Sequence, residues 1–331
     1  MHQQNYPNNF KTMTKIGHNL LKAADLLEAG ELVAIPTETV YGLAANALNE
    51  QAIIKIYEAK NRPSFNPLIV HVLNVEAIHT YAVLDEVSKK LAEAFMPGPF
   101  TLLLQKKTII PDIVTAGSAK VAIRIPNHPI AIKILMLLKF PLAAPSANVS
   151  GYVSPTTAKH VSDGLKEKVA YILDGGACEV GLESTIVEVI NNQIVLHRAG
   201  AITIEEIEKI SGLKVASPTL SKNPTTAGQL KSHYATKIPL IRGNIEQLIK
   251  ANEEKNIATI SFSKIYPGLK RGHQYILSPN GDLNEAAQHL FSVMRDIDEF
   301  HFDIIITEMF PDKGLGKAIN DRLGRAQSIN R

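Results

Sequence analysis

Apolar positions fall into two rhythms along this chain, one of helical period and one of short unbroken runs. Leu20, Leu21, Ala24 and Leu27 recur at helical spacing until Gly30 breaks the pattern, and the apolar run over residues 32–35 predicts a buried strand. Pro36 halts that run. Thr37, Glu38, Thr39 and Gly42 then read as a polar loop leading into a helix over residues 50–59, with Ile53, Ile56 and Tyr57 on one face. Further strands are predicted over residues 68–73, 101–104, 121–126 and 169–173, and further helices through Val87, Leu91 and Phe95 and over 130–138. Residues 186–190 and 194–198 flank Asn191-Asn192 and read as a hairpin, followed by a short capped helix over 203–210. Ser154-Pro155-Thr156 reads as the cap of another helix.

The pattern lapses over residues 212–237, a Ser, Thr, Pro, Gly and Lys-rich stretch without apolar period, which reads as a linker or a functional lid. It resumes from Ile238 with strands over 239–241, 257–260 and 303–306 and a long helix over 283–300 bearing Ala287, Leu290, Met294 and Ile297 on one face. Strands alternating with helices predict an α/β protein. The expected partition is a flexible extension over 1–13, a first domain over 14–211, a linker or lid over 212–237 and a smaller α/β domain over 238–331.

Composition changes this picture little. A length of 331 residues favours two cores over one. A net charge of +3 allows an anionic substrate or transient RNA contact without marking a dedicated nucleic-acid binder. The single cysteine, Cys178, excludes an internal disulfide and a cysteine-cluster metal site and fits a reducing cytoplasm. No stretch approaches the apolar length of a membrane span. The first 13 residues, rich in Asn and Gln, lack the apolar core of a secretory signal.

Candidate chemistry gathers at strand ends. Lys60 and Arg62 leave a helix beside the hydroxyl-rich loop, an arrangement that suits a polyanion such as a nucleotide; a solvated pair at a helix C-terminus is the alternative. Arg124 sits in an apolar strand, where arginine either meets an anion or snorkels from a sheet edge. His71 is a lone imidazole in another such strand, and a satisfied core histidine is its plainer reading. Ser146 and Asn148 lie in a loop of small residues that lets a ligand approach the backbone. Ser184 and Arg198 mark the two ends of the hairpin, which brings them close together. No P-loop, dinucleotide-binding glycine motif, zinc helix or nucleophile elbow is present. Cations with hydroxyl and amide groups suit electrostatic catalysis on a phosphate better than a covalent nucleophile.

Five ordered motifs carry a resemblance: Thr37-Glu38-Thr39-Val40-Tyr41-Gly42-Leu43, Lys60-Asn61-Arg62, Asn66-Pro67-Leu68, Ser146-Ala147-Asn148 and Ser184-Thr185-Ile186. The chain resembles the YrdC family of threonylcarbamoyl-AMP synthases, in its long two-domain form. That resemblance implies a twisted mixed-sheet YrdC-like catalytic domain with a Rossmann-like C-terminal domain. It also implies a reaction: L-threonine, bicarbonate or CO2 and ATP give L-threonylcarbamoyladenylate and pyrophosphate, for the threonylcarbamoyl modification of tRNA adenosine beside the anticodon. Lys60, Arg62, Ser146 and Asn148 would be catalytic, with magnesium arriving on the ATP phosphates. Thr39, His71, Arg124, Ala144 and Ser184 would bind L-threonine. Arg62, Asn66, Lys120, Ser146, Ser154, Arg198 and Tyr234 would bind ATP, Lys120 and Ala144 mainly through backbone. Tyr234 belongs to a linker motif from which this chain departs at Leu230 and Thr236. Partners implied are the three small substrates and transient contact with tRNA or a downstream transferase.

Two other classes stay open on the residues alone. A cation-lined face could hold RNA without chemistry, although no aromatic-basic platform is visible. A carbamoyl-transfer enzyme of related fold could act on another acceptor, although the extra segments such enzymes carry are missing here.

Overall fold

The computed structural model describes residues 15–216, 226 and 234–327. The expected extension over 1–13 and the linker-motif residues 227–233 lie outside the described residues. The first unit runs β1 (Lys15–Gly17), α1 (Leu20–Glu28), β2 (Val33–Ile35), β3 (Gly42–Asn46), α2 (Glu50–Lys60), β4 (Ile69–His71), α3 (Val75–Tyr81), α4 (Glu86–Phe95), β5 (Phe100–Gln105), α5 (Asp112–Thr115), β6 (Lys120–Arg124), α6 (Pro129–Leu137), β7 (Leu142–Ala143), α7 (Ala158–Leu165), β8 (Tyr171–Leu173), β9 (Thr185–Ile190), β10 (Gln193–Arg198), α8 (Ile204–Ser211) and β11 (Val215–Ala216). The second runs β12 (Leu240–Arg242), α9 (Ile245–Lys250), β13 (Ile257–Ser261), β14 (Gln274–Ile276), α10 (Leu283–Ile297), β15 (Ile304–Thr307) and α11 (Leu315–Ala326).

Among the described residues, eleven strands form one mixed sheet in the order β1-β8-β2-β3-β7-β4-β6-β5-β9-β10-β11. The second sheet, β12-β15-β13-β14, is parallel at every pairing, as the Rossmann-like expectation requires.

Local chemistry explains most boundaries. The Asn49 side chain accepts the N–H groups of Gln51 and Ala52 and starts α2; Asn61, left-handed at φ 50°, ends it. Lys60 is therefore the last helical residue and turns inward. Thr203 opens α8 with a reciprocal capping box. Asn191 and Asn192 both take positive φ between antiparallel β9 and β10, confirming the hairpin.

Three expectations need correction. The polar loop leads first into β3, antiparallel to β2, because the Gly-Leu-Ala-Ala-Asn run lacks the β-branched residues that announce a strand. Thr157, not Ser154, caps α7, while the Ser154 hydroxyl is buried and engaged elsewhere. The first sheet also gains β11 beyond residue 211, paired parallel with β10.

The two units share a core. Val40, Val153 and Leu182 of the first pack in one cluster with Tyr234, Leu290, Phe291, Met294 and Leu323. Arg295 of α10 crosses the junction and donates to the backbone oxygens of Val153 (2.5 Å), Ser154 (3.2 Å) and His160 (3.3 Å). Gly181, at φ +74°, lies flat against α10, where an added Cβ would meet Gln288 Cα at 2.5 Å and the Ala287 oxygen at 2.6 Å. No side chain fits there.

Candidate active site

Strand ends and loops from β2, β4, β6, β7 and the β9–β10 hairpin converge on one cavity. Parallel pairing sets His71 of β4 beside Arg124 of β6, so two residues distant in sequence reach the cavity together. The Thr37 hydroxyl donates to the Val40 oxygen (2.6 Å) and lies 2.9 Å from the Thr39 hydroxyl. It also accepts the N–H groups of Thr39 and Val40, each at 3.2 Å. This closed turn fixes Thr39 at the cavity wall.

The cations are individually anchored. Arg62 donates to the Asn66 oxygen (3.0 Å) and the Pro67 oxygen (2.8 Å). Arg124 donates from Nε to the Gly98 oxygen (3.2 Å), and its Nη2 stands 2.7 Å from Glu38 Oε1 as an ion pair without aligned hydrogen-bond geometry. Arg198 donates from Nε to the Ser184 oxygen and from Nη2 to the Ser184 hydroxyl, both at 3.0 Å, and that hydroxyl lies 2.7 Å from Thr101 Oγ1. The expected closeness of the hairpin ends is therefore real.

Three guanidinium groups, those of Arg62, Arg124 and Arg198, line the cavity against one carboxylate, that of Glu183. Burial pushes Arg62 down to about 10, with Arg198 adding repulsion. Burial likewise pushes Arg198 down to about 10, against the raising effect of Tyr234 and Glu183. Such a site favours an incoming anion. Burial, aided by Arg124, pushes His71 down to about 3, so its ring is neutral at ordinary pH. Its Nδ1 is buried without a partner among the described residues.

The expected residues divide into three groups. Thr39, Arg62, His71, Arg124, Ala144, Ser146, Arg198 and Tyr234 line the cavity. Lys60, Asn66, Asn148, Ser154 and Ser184 are buried in the layer behind it. The Lys60 ammonium donates to the backbone oxygens of Ser146 and Asn148, both at 2.5 Å, while the Asn148 amide donates to those of Val149 (2.9 Å) and Tyr152 (2.8 Å). Both side chains brace the loop that presents Ser146. Burial holds Lys60 well below the ordinary lysine range, and Arg62 and Arg295 push the same way.

Lys120 is a correction. It opens β6, whereas Arg124 closes that strand at the cavity. Lys120 instead pairs with Glu188 in a surface groove at the strand's other end.

The sequence pattern assigned no site role to Thr37, Glu38, Glu183 or Arg322. Glu183 accepts from the Ser154 hydroxyl (2.6 Å) and from Arg322 Nε (3.0 Å). The signal was faint but present, since Glu38 and Glu183 each adjoin a motif hydroxyl residue.

Residues 25–200 match the Sua5/YciO/YrdC family model, described as telomere recombination, and residues 202–328 match the threonylcarbamoyl-AMP synthase C-terminal domain. The chain belongs to the two-domain threonylcarbamoyl-AMP synthase family. Within that family it is 39% identical over 319 residues to the threonylcarbamoyl-AMP synthase of Pyrococcus abyssi, covering 92% of each chain. It is also 39% identical to the Bacillus subtilis enzyme of that name, covering 93% of this chain and 92% of the relative. A crystal structure of P. abyssi Sua5 complexed with L-threonine superposes with a TM-score of 0.87 at 36% identity, covering 95% of this chain and 97% of that one. Membership in the synthase family makes this chain an enzyme and accounts for both sheets. Among the described residues, no helix is long and apolar enough to cross a membrane.

Proposed function

We propose that the chain is an L-threonylcarbamoyladenylate synthase, a nucleotidyltransferase that joins L-threonine, bicarbonate or CO2 and ATP. The observation that carries this reading is the cavity itself. Three anchored guanidinium groups, of which those of Arg124 and Arg198 are buried, stand beside hydroxyls and a neutral imidazole, in a chain of that family.

The threonine amine attacks the carbon of CO2, with release of a proton, or of bicarbonate, with loss of water, and gives a carbamate. A carbamate oxygen then attacks the α-phosphorus of ATP; the bond to the bridging oxygen breaks and pyrophosphate leaves. Arg124 is assigned to the threonine carboxylate, because a guanidinium edge can meet both carboxylate oxygens. His71 Nδ1 and Thr39 are assigned to the amino acid's remaining polar groups, with Ser184 holding Arg198 from behind the cavity wall. Arg62 and Arg198 are assigned to the phosphates, whose charge they oppose as it shifts towards the leaving group. Lys60 and Asn148 act by holding the Ser146 loop in place. Much of the acceleration comes from gathering three reactants in one geometry.

The oxygen donors lining the cavity are mainly hydroxyls, and Glu183 is already engaged. A magnesium ion carried on ATP would take phosphate oxygens and water as ligands, with the Ser146 hydroxyl the protein oxygen suited to join them, and would supply charge neutralisation. The single buried cysteine suits a cytoplasmic enzyme, whose product passes to a transferase that modifies tRNA.

The test is pyrophosphate release by the full chain with ATP and magnesium, omitting threonine and bicarbonate in turn. Release that requires both supports the synthase. Release independent of threonine rejects it in favour of another acceptor.

A further inference from the structure

Glu183 is an awkward residue for an anion site. It is a buried carboxylate in the wall of a cavity whose other charged groups are three arginines. Left alone, it would repel a triphosphate and compete for Arg198, whose charge already feels it. Both of its oxygens are instead tied: Oε1 accepts from the Ser154 hydroxyl at 2.6 Å and Oε2 from Arg322 Nε at 3.0 Å.

Arg322 comes from α11 of the second unit and is fully buried. Its guanidinium also sits 5.3 Å from the centre of the Tyr234 ring. The same ring stacks on Phe291, with centroids 5.3 Å apart. One side chain of the second unit therefore touches two cavity-lining residues, Glu183 by charge and Tyr234 by its ring.

We infer that Arg322 is a positioning residue for the nucleotide: it neutralises Glu183, so that this carboxylate does not oppose the phosphates, and it seats Tyr234. The inference rests on the synthase reading and extends it, because it makes the second unit part of the nucleotide site. Arg322 lies outside the cavity lining and acts through its two neighbours there.

The test compares Arg322→Gln, Glu183→Gln and the double variant in the full chain. Michaelis constants come from pyrophosphate release, and magnesium with a non-hydrolysable ATP analogue serves as an equilibrium binding probe. Arg322→Gln is expected to weaken ATP at least tenfold while leaving the threonine constant within about twofold. The double variant, which removes both charges together, is expected to recover ATP binding to within about threefold of the parent. If Arg322→Gln folds too poorly to assay, comparing the double variant with Glu183→Gln alone still reads the neutralisation, because ATP affinity should then differ by less than threefold. Unchanged ATP affinity in a folded Arg322→Gln protein overturns the inference. So does a double variant no better than the single one, which would show that neutralising Glu183 is not what Arg322 does for the nucleotide. Failure of the synthase reading shows separately, as parent protein that releases no pyrophosphate.

Discussion

Arg124 and Glu38 form a buried ion pair 2.7 Å across, the arginine on β6 and the glutamate in the loop after β2. The pair joins two motifs that sequence reading treated separately. It also means that the cation assigned to the substrate carboxylate already has a protein counter-charge and is held in one orientation by it. Arg124→Ala should raise the threonine Michaelis constant by the equivalent of about 2 kcal/mol, the worth of a charge-assisted contact, while sparing that of ATP. It should also lower the stability measured by urea unfolding by about 3 kcal/mol, because Glu38 is left buried without its partner. Unaltered threonine dependence would remove Arg124 from the substrate site.

Lys60 gives a different signature. Its ammonium touches two backbone oxygens of the Ser146–Asn148 loop. Lys60→Met should leave those oxygens unsatisfied, costing about 1–3 kcal/mol of stability. Loop displacement should lower kcat and raise both Michaelis constants together. A selective effect on ATP alone would show that the lysine meets phosphate directly.

His71 predicts a pH dependence. Its folded value is about 3, against roughly 6.5 in an unfolded chain. As pH falls below 6.5 the unfolded chain takes up a proton that the folded protein refuses. Stability is thus fully present above that pH and declines at up to about 1.4 kcal/mol per pH unit towards pH 3. Burial also pushes His160 down, to about 4, so the parent is best compared with His71→Gln, in which His160 is retained. Urea midpoints of the variant should fall less steeply between pH 6.5 and 4. Parallel curves would contradict the neutral buried imidazole.

Tyr234 lies fully buried, its ring in contact with Arg322 and stacked on Phe291. Tyr234→Ala should loosen ATP while leaving threonine nearly untouched. The same change should lower stability by about 3 kcal/mol, since it opens a hole in the core shared by both units. The ring's packing thus makes the substitution costly to the fold as well as to the nucleotide site. Nucleotide affinity equal to the parent's, measured calorimetrically, would exclude a part for this ring in ATP binding.

Local pattern was enough to read β2, α2, β4, β6 and the β9–β10 hairpin, because each announces itself by period, caps or turn residues. It was also enough to find the arginines, since a guanidinium in an apolar strand is conspicuous at Arg124, and a helix exit and a hairpin end single out Arg62 and Arg198. What it missed depends on contacts between distant segments. Glu38 gains meaning from Arg124, and Ser154 from Glu183 and Arg322, partners that no periodicity connects. Lys120 and Arg124 share one strand, and only the sheet shows that the strand delivers them to opposite ends. The bracing parts of Lys60 and Asn148 were hidden likewise, because a motif records which residues occur together and not which way they face.

Gly181 gives the junction of the two units a tolerance narrower than a methyl group. A β-carbon there would act as a wedge against the backbone of α10, and that helix carries both Phe291 and Arg295. Two residues farther along the chain stands Glu183, in the cavity wall. A misfit at this seam would therefore be transmitted inward, altering the shape of the catalytic chamber before loosening the surface. The molecule gauges its working clearance with a residue that has no side chain.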